Sequence, residues 1–274
     1  MRLIFIGDVV GKTGRNAVAE ELPRLRERYE PDFVVLNGEN AASGVGITEK
    51  IYEQFRDAGA DVVTLGNHAW DQREALVFIE RAPNLLRPLN YPEGTPGKGV
   101  GLFPAANGKQ VLVINAMGRV FMNPLDNPFA AIDKELNMCP LGEACDAAII
   151  DFHGEATSEK MAMGHYVDGR ASLLVGTHTH VPTADHQVLM GGTAYQTDTG
   201  MCGDFDSVIG VDKEEPLSRF LTGINRARFS PATGEPTICG LAVETDDATG
   251  LAAKVAPIRI GGRLEPVLPP FWEN

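Results

Sequence analysis

The chain has 274 residues, and its 24 Lys and Arg against 37 Asp and Glu give a formal net charge of −13. Apolar residues make up 43% of the chain and charged residues 22%, a balance typical of a folded globular protein. Such an acidic chain is not expected to track long nucleic acid or to bind an anionic membrane surface, because both require a basic face. No apolar run reaches the length of a membrane span, so we expect a cytoplasmic protein.

The cysteine content does not predict a disulfide-stabilised scaffold. Four cysteines are too few for one in a chain of this length, and they form no C-x-x-C pair. We expect small thiols that stay reduced in the cytoplasm. The cysteines are Cys139, Cys145, Cys202 and Cys239.

The first half of the chain alternates short β-branched runs with longer amphipathic segments, which is typical of β-α-β units. A helix is predicted over residues 14–29 and ends before Pro31, because proline cannot continue it. A second helix is predicted to begin after Thr48, whose side chain is a favourable cap. The predicted strands are residues 2–7, 33–36 and 62–65, followed by an antiparallel hairpin over residues 100–115.

The second half continues in the same style. Neither a flexible linker nor a change in composition marks a domain boundary, and there is no internal repeat. We therefore expect one domain over residues 1–274, an α/β fold in which two mixed sheets pack together with helices outside. The predicted elements of this half are strands over residues 147–151 and 172–175, a helix over residues 158–166, and hairpins over residues 188–197 and 238–260.

Polar side chains that can bind metal ions follow five of the predicted strands. In open α/β sheets this carboxyl edge is where ligands bind. A single Asp or Asn after a strand is usually a turn residue or a helix cap, and a single His is usually structural. Five such coincidences in one chain favour a shared site. The groups are Gly7-Asp8, Gly38-Glu39-Asn40, Gly66-Asn67-His68, Asp151-Phe152-His153 and His178-Thr179-His180.

The pair His178 and His180 is the most informative of these groups. Two imidazoles two residues apart at a strand end can face one site and serve two metal ions. A ligand set of oxygen and nitrogen atoms without thiolates suits Mn²⁺, Fe or Zn²⁺ better than a structural zinc site. The remaining histidines, His165 on a predicted helix and His186 in a polar loop, are interpreted as structural residues.

In this order, the five motifs resemble the metal-binding motifs of the calcineurin-like metallophosphoesterases. The resemblance is closest to the bacterial YmdB-type phosphodiesterases, and it implies a four-layer α-β-β-α sandwich. It extends over most of the chain. The stretches that carry it are Gly7-Asp8-Val9-Val10-Gly11, Asn37-Gly38-Glu39-Asn40-Ala41-Ala42, Gly66-Asn67-His68-Ala69-Trp70-Asp71, Gly192-Thr193-Ala194-Tyr195, Thr197-Asp198, Gly200-Met201 and Ser207-Val208-Ile209-Gly210.

The resemblance also implies a dinuclear site and a role for each polar residue in it. His68 would protonate the leaving oxygen, with orientation of Asn67 as its alternative role. The two divalent ions would be iron or manganese, with zinc as an alternative. The ligands would be Asp8, Asn40 and His180 for one ion, Asn67, His153 and His178 for the other, and Glu39 between the two.

Two positions depart from the general superfamily pattern. Its first motif is Asp-x-His, whereas Val10 stands here in place of the histidine. Its second motif carries a bridging Asp, whereas this chain has Glu39, which is one methylene longer. The YmdB-type branch shares both departures, with the amide of Asn40 in place of the missing imidazole. An amide oxygen is a weaker, neutral ligand, so this departure bears on the affinity at the first metal position.

The expected function is a metal-dependent phosphodiesterase that acts on small phosphodiesters, with cyclic nucleotides such as 2′,3′-cyclic AMP as the substrates that the resemblance implies. A phosphomonoesterase and a non-catalytic, metal-stabilised regulator that binds a nucleotide or an RNA-processing partner remain alternatives. A P-loop NTPase does not fit, since Gly7 and Gly11 are separated by three residues and a P-loop requires four.

The last predictions concern the substrate pocket and the oligomeric state. The wall of the pocket is predicted to include Thr193, Tyr195 and Asp198. The edge strands of the predicted hairpins could pair between subunits, so a homo-oligomer remains an alternative. Two divalent ions would add +4 to a site with carboxylates at Asp8 and Glu39. We therefore expect a small phosphorylated substrate that is held at its phosphate.

Overall fold

The computed structural model describes residues 1–273, in which the apolar runs form two mixed β-sheets. These runs are extended because β-branched and aromatic side chains pack well on a pleated surface. The strands are β1 (Arg2–Ile6), β2 (Asp8–Val9), β3 (Phe33–Asn37), β4 (Val62–Thr64), β5 (Leu85–Leu86), β6 (Val100–Pro104), β7 (Gln110–Met117), β8 (Ala147–His153), β9 (Leu173–Thr177), β10 (Gln187–Val188), β11 (Ala194–Gln196), β12 (Met201–Asp204), β13 (Pro236–Thr245) and β14 (Ala252–Ile260).

The helices lie in the amphipathic segments between these strands. The first helix begins at Gly11, three residues before the predicted start, and ends where Glu30 adopts a left-handed conformation ahead of Pro31. The Thr48 cap is confirmed, since its side chain accepts a hydrogen bond from the Ile51 amide. The helices are α1 (Gly11–Tyr29), α2 (Glu49–Ala58), α3 (Ala75–Phe78), α4 (Pro128–Met138), α5 (Thr157–Val167) and α6 (Glu214–Thr222), with 3₁₀ turns at Ile79–Arg81 and Pro270–Trp272.

Parallel strands form the centre of each sheet. The first sheet has the order β2-β12-β13-β1-β3-β4-β5, with β14 paired to β13, and its strands β1, β3, β4 and β5 are parallel. The second sheet has the order β10-β11-β9-β8-β7-β6, and its strands β7, β8, β9 and β11 are parallel. The carboxyl ends of several strands therefore meet at one edge of each sheet.

Three apolar cores hold the layers together. The two sheets face each other across fully buried residues such as Phe5, Val35 and Ile149. Helices α1 and α2 pack on the outer face of the first sheet, and α4 and α5 on the outer face of the second, for example through Leu22 and Met163. The predicted four-layer α-β-β-α sandwich is thus confirmed.

The remaining expectations concern the thiols and the membrane. The four cysteines are free, with Cys139 half-buried and the other three buried. Within residues 1–273, no helix combines the length and apolar character needed to cross a bilayer. The assignment of the whole chain to a single domain stays a prediction.

Candidate metal centre

The polar residues at the strand ends come together between the two sheets. Parallel strands of a sheet end at the same edge, and the two sheets present these edges side by side. The chain needs glycine here, because a Cβ on Gly66 would lie 2.4 Å from Glu39 Oε2 and from His153 Nε2. Side chains from both sheets thereby form two adjoining groups of ligand atoms.

The first group centres on His153. Its Nε2 atom lies 2.9 Å from Asn67 Oδ1, 3.1 Å from Glu39 Oε1 and 3.1 Å from His178 Nδ1. Two ring nitrogens and two oxygens therefore converge, and a single proton on Nε2 cannot satisfy all of them. Glu39, His153 and His178 each offer a ligand atom within 4.8 Å of the others, a spacing that suits one metal ion.

The second group shares Glu39 with the first. Asp8, Glu39 and His180 offer ligand atoms within 4.8 Å of one another. The Oδ1 atom of Asn40 lies 3.2 Å from His180 Nε2, and Asp8 Oδ1 lies 3.9 Å from the same nitrogen. The geometry therefore brings together all seven residues that the resemblance implies as ligands, with Glu39 between the two groups.

The arrangement fits divalent cations. Asp8 is fully buried, and its Oδ1 atom has no hydrogen-bond partner among the described residues. Glu39 is also buried, and its carboxylate faces Asp8 and His153. The other oxygen of Asp8, Oδ2, accepts a hydrogen bond from the His178 amide at 3.3 Å. A buried carboxylate oxygen without a partner is unfavourable unless a cation compensates its charge. The unpartnered oxygen is the observation that favours a metal site over a network of hydrogen bonds.

Two of the histidines have their outer ring nitrogen held by an oxygen of the backbone or of a carboxylate. His180 Nδ1 donates to the carbonyl of Ile209 at 2.7 Å, which leaves Nε2 facing Asp8 and Asn40. His178 Nε2 lies 3.1 Å from Glu155, which leaves Nδ1 facing His153. Such partners fix the tautomer and direct the free nitrogen to a metal ion.

The third histidine is oriented by a buried chain of hydrogen bonds. His153 Nδ1 donates to Thr177 Oγ1 at 2.9 Å, and this hydroxyl donates to Asp151 Oδ1 at 2.7 Å. Asp151 also accepts a hydrogen bond from Asn37 Nδ2. Burial raises the pKa of Asp151 in spite of the nearby His153 and these hydrogen bonds. The sequence reveals Asp151 only as another polar residue before His153, whereas the structure makes it the support of that ring.

The amide of Asn40 has a defined orientation. Its Nδ2 group donates to the carbonyl of Gly44 at 3.0 Å, so its Oδ1 atom faces His180. An amide oxygen is an acceptable ligand for hard cations such as Mn²⁺. This orientation is consistent with the role that the resemblance implies for Asn40, an amide oxygen among the candidate ligands of the second group.

Electrostatic coupling between the two groups is strong. Burial opposes the charge on Glu39, but the charge and hydrogen bond of His153 outweigh it and lower the pKa of Glu39 to about 2. Burial also opposes the charge on His153, but Glu39 and Asp8 outweigh it and raise that pKa to about 9. Burial raises the pKa of Asp8. Burial and the charge of His153 lower the pKa of His178 to about 3. A cation bound at these groups would replace the proton on His153 and favour the charged form of Asp8 and Glu39.

His68 lies at the rim of this site. Its side chain is about one-third exposed, and its Nδ1 atom lies 2.7 Å from Asp71 Oδ2. Its backbone amide donates to Glu39 Oε2 at 3.1 Å, so the residue is tied to the ligand shared by both groups. The sequence motif contains Asp71, but its role as the partner of His68 follows only from the turn that brings position i+3 against the ring.

The turn that carries His178 and His180 is strained and firmly supported. Both residues have positive φ angles, 95° and 66°, which are unfavourable for residues with a Cβ. Asp198 accepts hydrogen bonds from the Thr179 amide and hydroxyl, and its carboxylate pairs with Lys160 Nζ at 2.8 Å. Lys160 and Asp198 are both fully buried. This ion pair holds the turn in place.

The three residues predicted to form the pocket wall, Asp198, Thr193 and Tyr195, are all buried, and none of them lines the cavity beside the ligand groups. Asp198 supports the histidine turn instead. The hydroxyl of Thr193 donates to the Ala171 carbonyl at the amino-terminal edge of the second sheet, opposite to the ligands. Tyr195 packs in the core under α4 and α5, and its hydroxyl bonds to Thr197. For Tyr195, which lies in β11, the physical reason is that a strand of a sheet covered on both faces buries its side chains on both sides.

A cavity of about 300 Å³ opens beside the ligand groups. Asn40, His68 and His180 line it together with several apolar side chains and two serines. A larger cavity of about 610 Å³ lies by Met1 and Asp247, but none of the candidate ligands lines it, so the smaller one is the candidate substrate site.

The structure places His165 and His186 outside both ligand groups, on an exposed helix face and in a loop.

The arrangement of two facing mixed sheets with helices outside is shared with a solved structure of low sequence identity. The calcineurin-like phosphoesterase YfkN of Bacillus subtilis shares this fold with a TM-score of 0.57 over 94% of this chain and 90% of that one, at 11% sequence identity. At that identity the match concerns the fold alone.

The chain belongs to the YmdB-like protein family, whose model matches residues 4–258. It is 50% identical over 260 residues to the 2′,3′-cyclic-nucleotide 2′-phosphodiesterase of Bacillus subtilis strain 168, covering 95% of this chain and 97% of that protein. A crystal structure of a hypothetical protein from Thermus thermophilus matches with a TM-score of 0.89 and 45% identity, over 96% of this chain and 100% of that one. The predicted family is confirmed, and so is the prediction of a hydrolase.

Proposed function

We propose that the chain is a dinuclear metal-dependent phosphodiesterase that hydrolyses small phosphodiesters, with 2′,3′-cyclic nucleotides as its substrates. The observation that carries this proposal is the pair of ligand groups that share Glu39, with the partly exposed His68 beside them. The activity named for the 50% identical Bacillus subtilis relative supports the substrate class. The acidic net charge of −13 favours a small substrate over a long nucleic acid.

The residues present would hold two divalent ions, iron or manganese, with zinc as an alternative. When bound, such ions lower the pKa of a water molecule and neutralise charge on phosphoryl oxygens. The protein's part is to hold the ligands in register through buried partners, as Thr177 and Ile209 do for the rings they contact. The free thiols of the chain suit the reducing cytoplasm that we propose for it. Asp8, Asn40 and His180 would bind one ion and Asn67, His153 and His178 the other, with Glu39 between them.

His68 would supply a proton to the leaving oxygen. It lines the cavity together with Asn40 and His180, so its ring can reach a phosphate held at the ligand groups. Asp71 orients the ring through the 2.7 Å contact with Nδ1, which leaves Nε2 for the substrate. Proton donation of this kind contributes about 10²–10⁴-fold to turnover.

The proposal is tested by comparing substrates on protein with a known metal content. Elemental analysis should give two ions per chain, and the same sample should hydrolyse 2′,3′-cyclic AMP faster than adenosine 2′- or 3′-monophosphate. A preference for the monoesters would instead indicate a phosphomonoesterase. Fully metallated protein that turns over neither class would overturn the enzymatic proposal and favour a non-catalytic regulator.

A further inference from the structure

Two chemically different sets of side chains line the cavity beside the ligand groups. The first set, here called the polar end, consists of Asn40, His68 and His180. The second set, here called the apolar end, consists of Val45, Ile209 and Phe229, and most of the exposed surface of the cavity is apolar although two serines also line it. A phosphate needs only the polar end. The apolar end is therefore available for another part of the same substrate.

Phe229 is a partly exposed aromatic residue whose ring is restrained by a neighbouring side chain. It is 49% exposed, and the guanidinium group of Arg219 lies 3.8 Å from the centre of its ring. Arg219 is itself restrained by Glu215 at 2.8 Å and by the carbonyl of Ala227 at 2.6 Å. The ring is thus supported by a fixed cation while part of its surface stays accessible, which is how a stacking platform is built.

The backbone also directs this ring to the cavity. Residues 212–230, here named the α6 segment, leave and rejoin the fold where Val211 pairs with Pro231. The Asp212 amide donates to the Ser230 carbonyl at 2.8 Å, so Phe229 lies next to the closed end of the segment. Phe220, elsewhere in the same segment, is 86% exposed and is not among the residues that line the cavity.

Ile209 connects the apolar end to the metal ligands. It has a φ angle of 48°, a conformation that is unfavourable for a β-branched residue. Its carbonyl accepts the 2.7 Å hydrogen bond from His180, and its side chain is 52% exposed at the cavity. The strained backbone therefore serves two purposes, since it holds a candidate ligand and presents an apolar side chain next to it.

We propose that the apolar end is a nucleobase subsite in which the base of a nucleotide stacks on Phe229 and contacts Ile209 and Val45. This inference rests on the proposed function and adds to it the part of the substrate that is recognised away from the phosphate. Aromatic stacking is tolerant of base identity, because every base has a π-face. The subsite accepts all four bases and binds purines more tightly, since they offer the larger stacking surface.

Direct binding measurements test the subsite without requiring turnover. Calorimetric titration of metal-loaded protein should show that adenosine 3′-monophosphate binds at least about tenfold more tightly than inorganic phosphate. Phe229→Ala should weaken nucleotide binding by about tenfold and leave phosphate binding unchanged. Phe229→Tyr should keep the wild-type nucleotide affinity. Phe220→Ala, in the same segment but outside the cavity lining, is the matched control and should change neither affinity.

The outcomes separate the subsite from the activity. Equal affinities for nucleotide and phosphate in the wild type, or a Phe229→Ala protein with unchanged nucleotide affinity, would overturn the subsite even if 2′,3′-cyclic AMP is hydrolysed. Base-dependent binding that is lost in Phe229→Ala supports the subsite even if no hydrolysis occurs, in which case only the proposed function fails.

Discussion

The two sides of the cavity are built in opposite ways. The turn with His178 and His180 is supported from beneath by Asp198 and Lys160, which are completely buried and hydrogen-bonded. The α6 segment on the other side is largely exposed, and every residue from 221 to 230 is exposed. Only Pro216 is buried in the helix of that segment, all of which lies in the described chain.

This contrast separates two tasks. Metal ligands must be held to within fractions of an ångström, so they are placed on strand ends that a buried network supports. Recognition of a variable group tolerates a looser wall, which a surface segment provides. We expect substitutions beneath the histidine turn to change metal binding and stability, and substitutions of the cavity-lining residues of the α6 segment to change substrate affinity alone.

The largest effect is expected for Glu39→Ala, because this carboxylate belongs to both ligand groups. The variant should lose metal and show no measurable turnover, while circular dichroism reports an intact fold. Elemental analysis measures the metal content. Glu20→Ala, which removes an exposed carboxylate paired with Arg24, is the control and should keep both ions. Two ions still bound to Glu39→Ala would refute its position between them.

His68→Ala is expected to lower turnover by about 10²–10⁴-fold while the metal content stays at the wild-type level. The reason is that His68 lines the cavity without belonging to either ligand group. Steady-state kinetics on metal-analysed protein measures this effect, and Asp71→Asn should give a smaller loss. An unchanged kcat in His68→Ala would exclude the proton-donating role.

Lys160→Met should act through the support of the histidine turn. It leaves the buried Asp198 carboxylate without its cation, which is expected to destabilise the protein by about 3–5 kcal/mol. Metal affinity should fall about 10–100-fold, because the turn that presents His178 and His180 loosens. Urea unfolding and metal titration measure the two effects.

The exposed pair of Lys213 with Asp206 provides the control, and Lys213→Met should leave both stability and metal affinity nearly unchanged. A Lys160→Met protein with wild-type metal affinity would mean that the buried ion pair stabilises the fold without positioning the ligands.

The smallest effect concerns pH. In metal-free protein the pKa of His153 is raised to about 9 from an ordinary value of 6.5, so its stabilising effect is complete below pH 6.5 and is lost as the pH rises through 9. Metal-free protein should therefore lose thermal stability over that interval. Metal-loaded protein should lose less, because the ions displace the proton. Calorimetry measures the thermal stability as a function of pH, with metal-free His153→Asn as the control. If stability depended on pH equally in the variant and the wild type, the raised pKa of His153 would not be its cause.

Much of the fold follows from local pattern. The apolar runs at residues 2–7, 33–36 and 62–65 are strands within one residue of their predicted ends, because buried parallel strands require continuous apolar sequence. Helix α4 was not predicted, although Asn127 caps it and Pro128 occupies its first turn. Strand β12 was not predicted either, since its four residues give too short a pattern.

The sequence by itself determined that polar residues follow five strands, and with them the class of chemistry, because strand ends of a parallel sheet share an edge. Only the tertiary structure decided which neighbours serve that chemistry. Asp198 supports a turn, Thr193 lies at the opposite edge, and Phe229 reaches the cavity from a segment without a recognisable motif. The physical reason is that direction and burial of a side chain depend on contacts between distant parts of the chain, which periodicity does not encode.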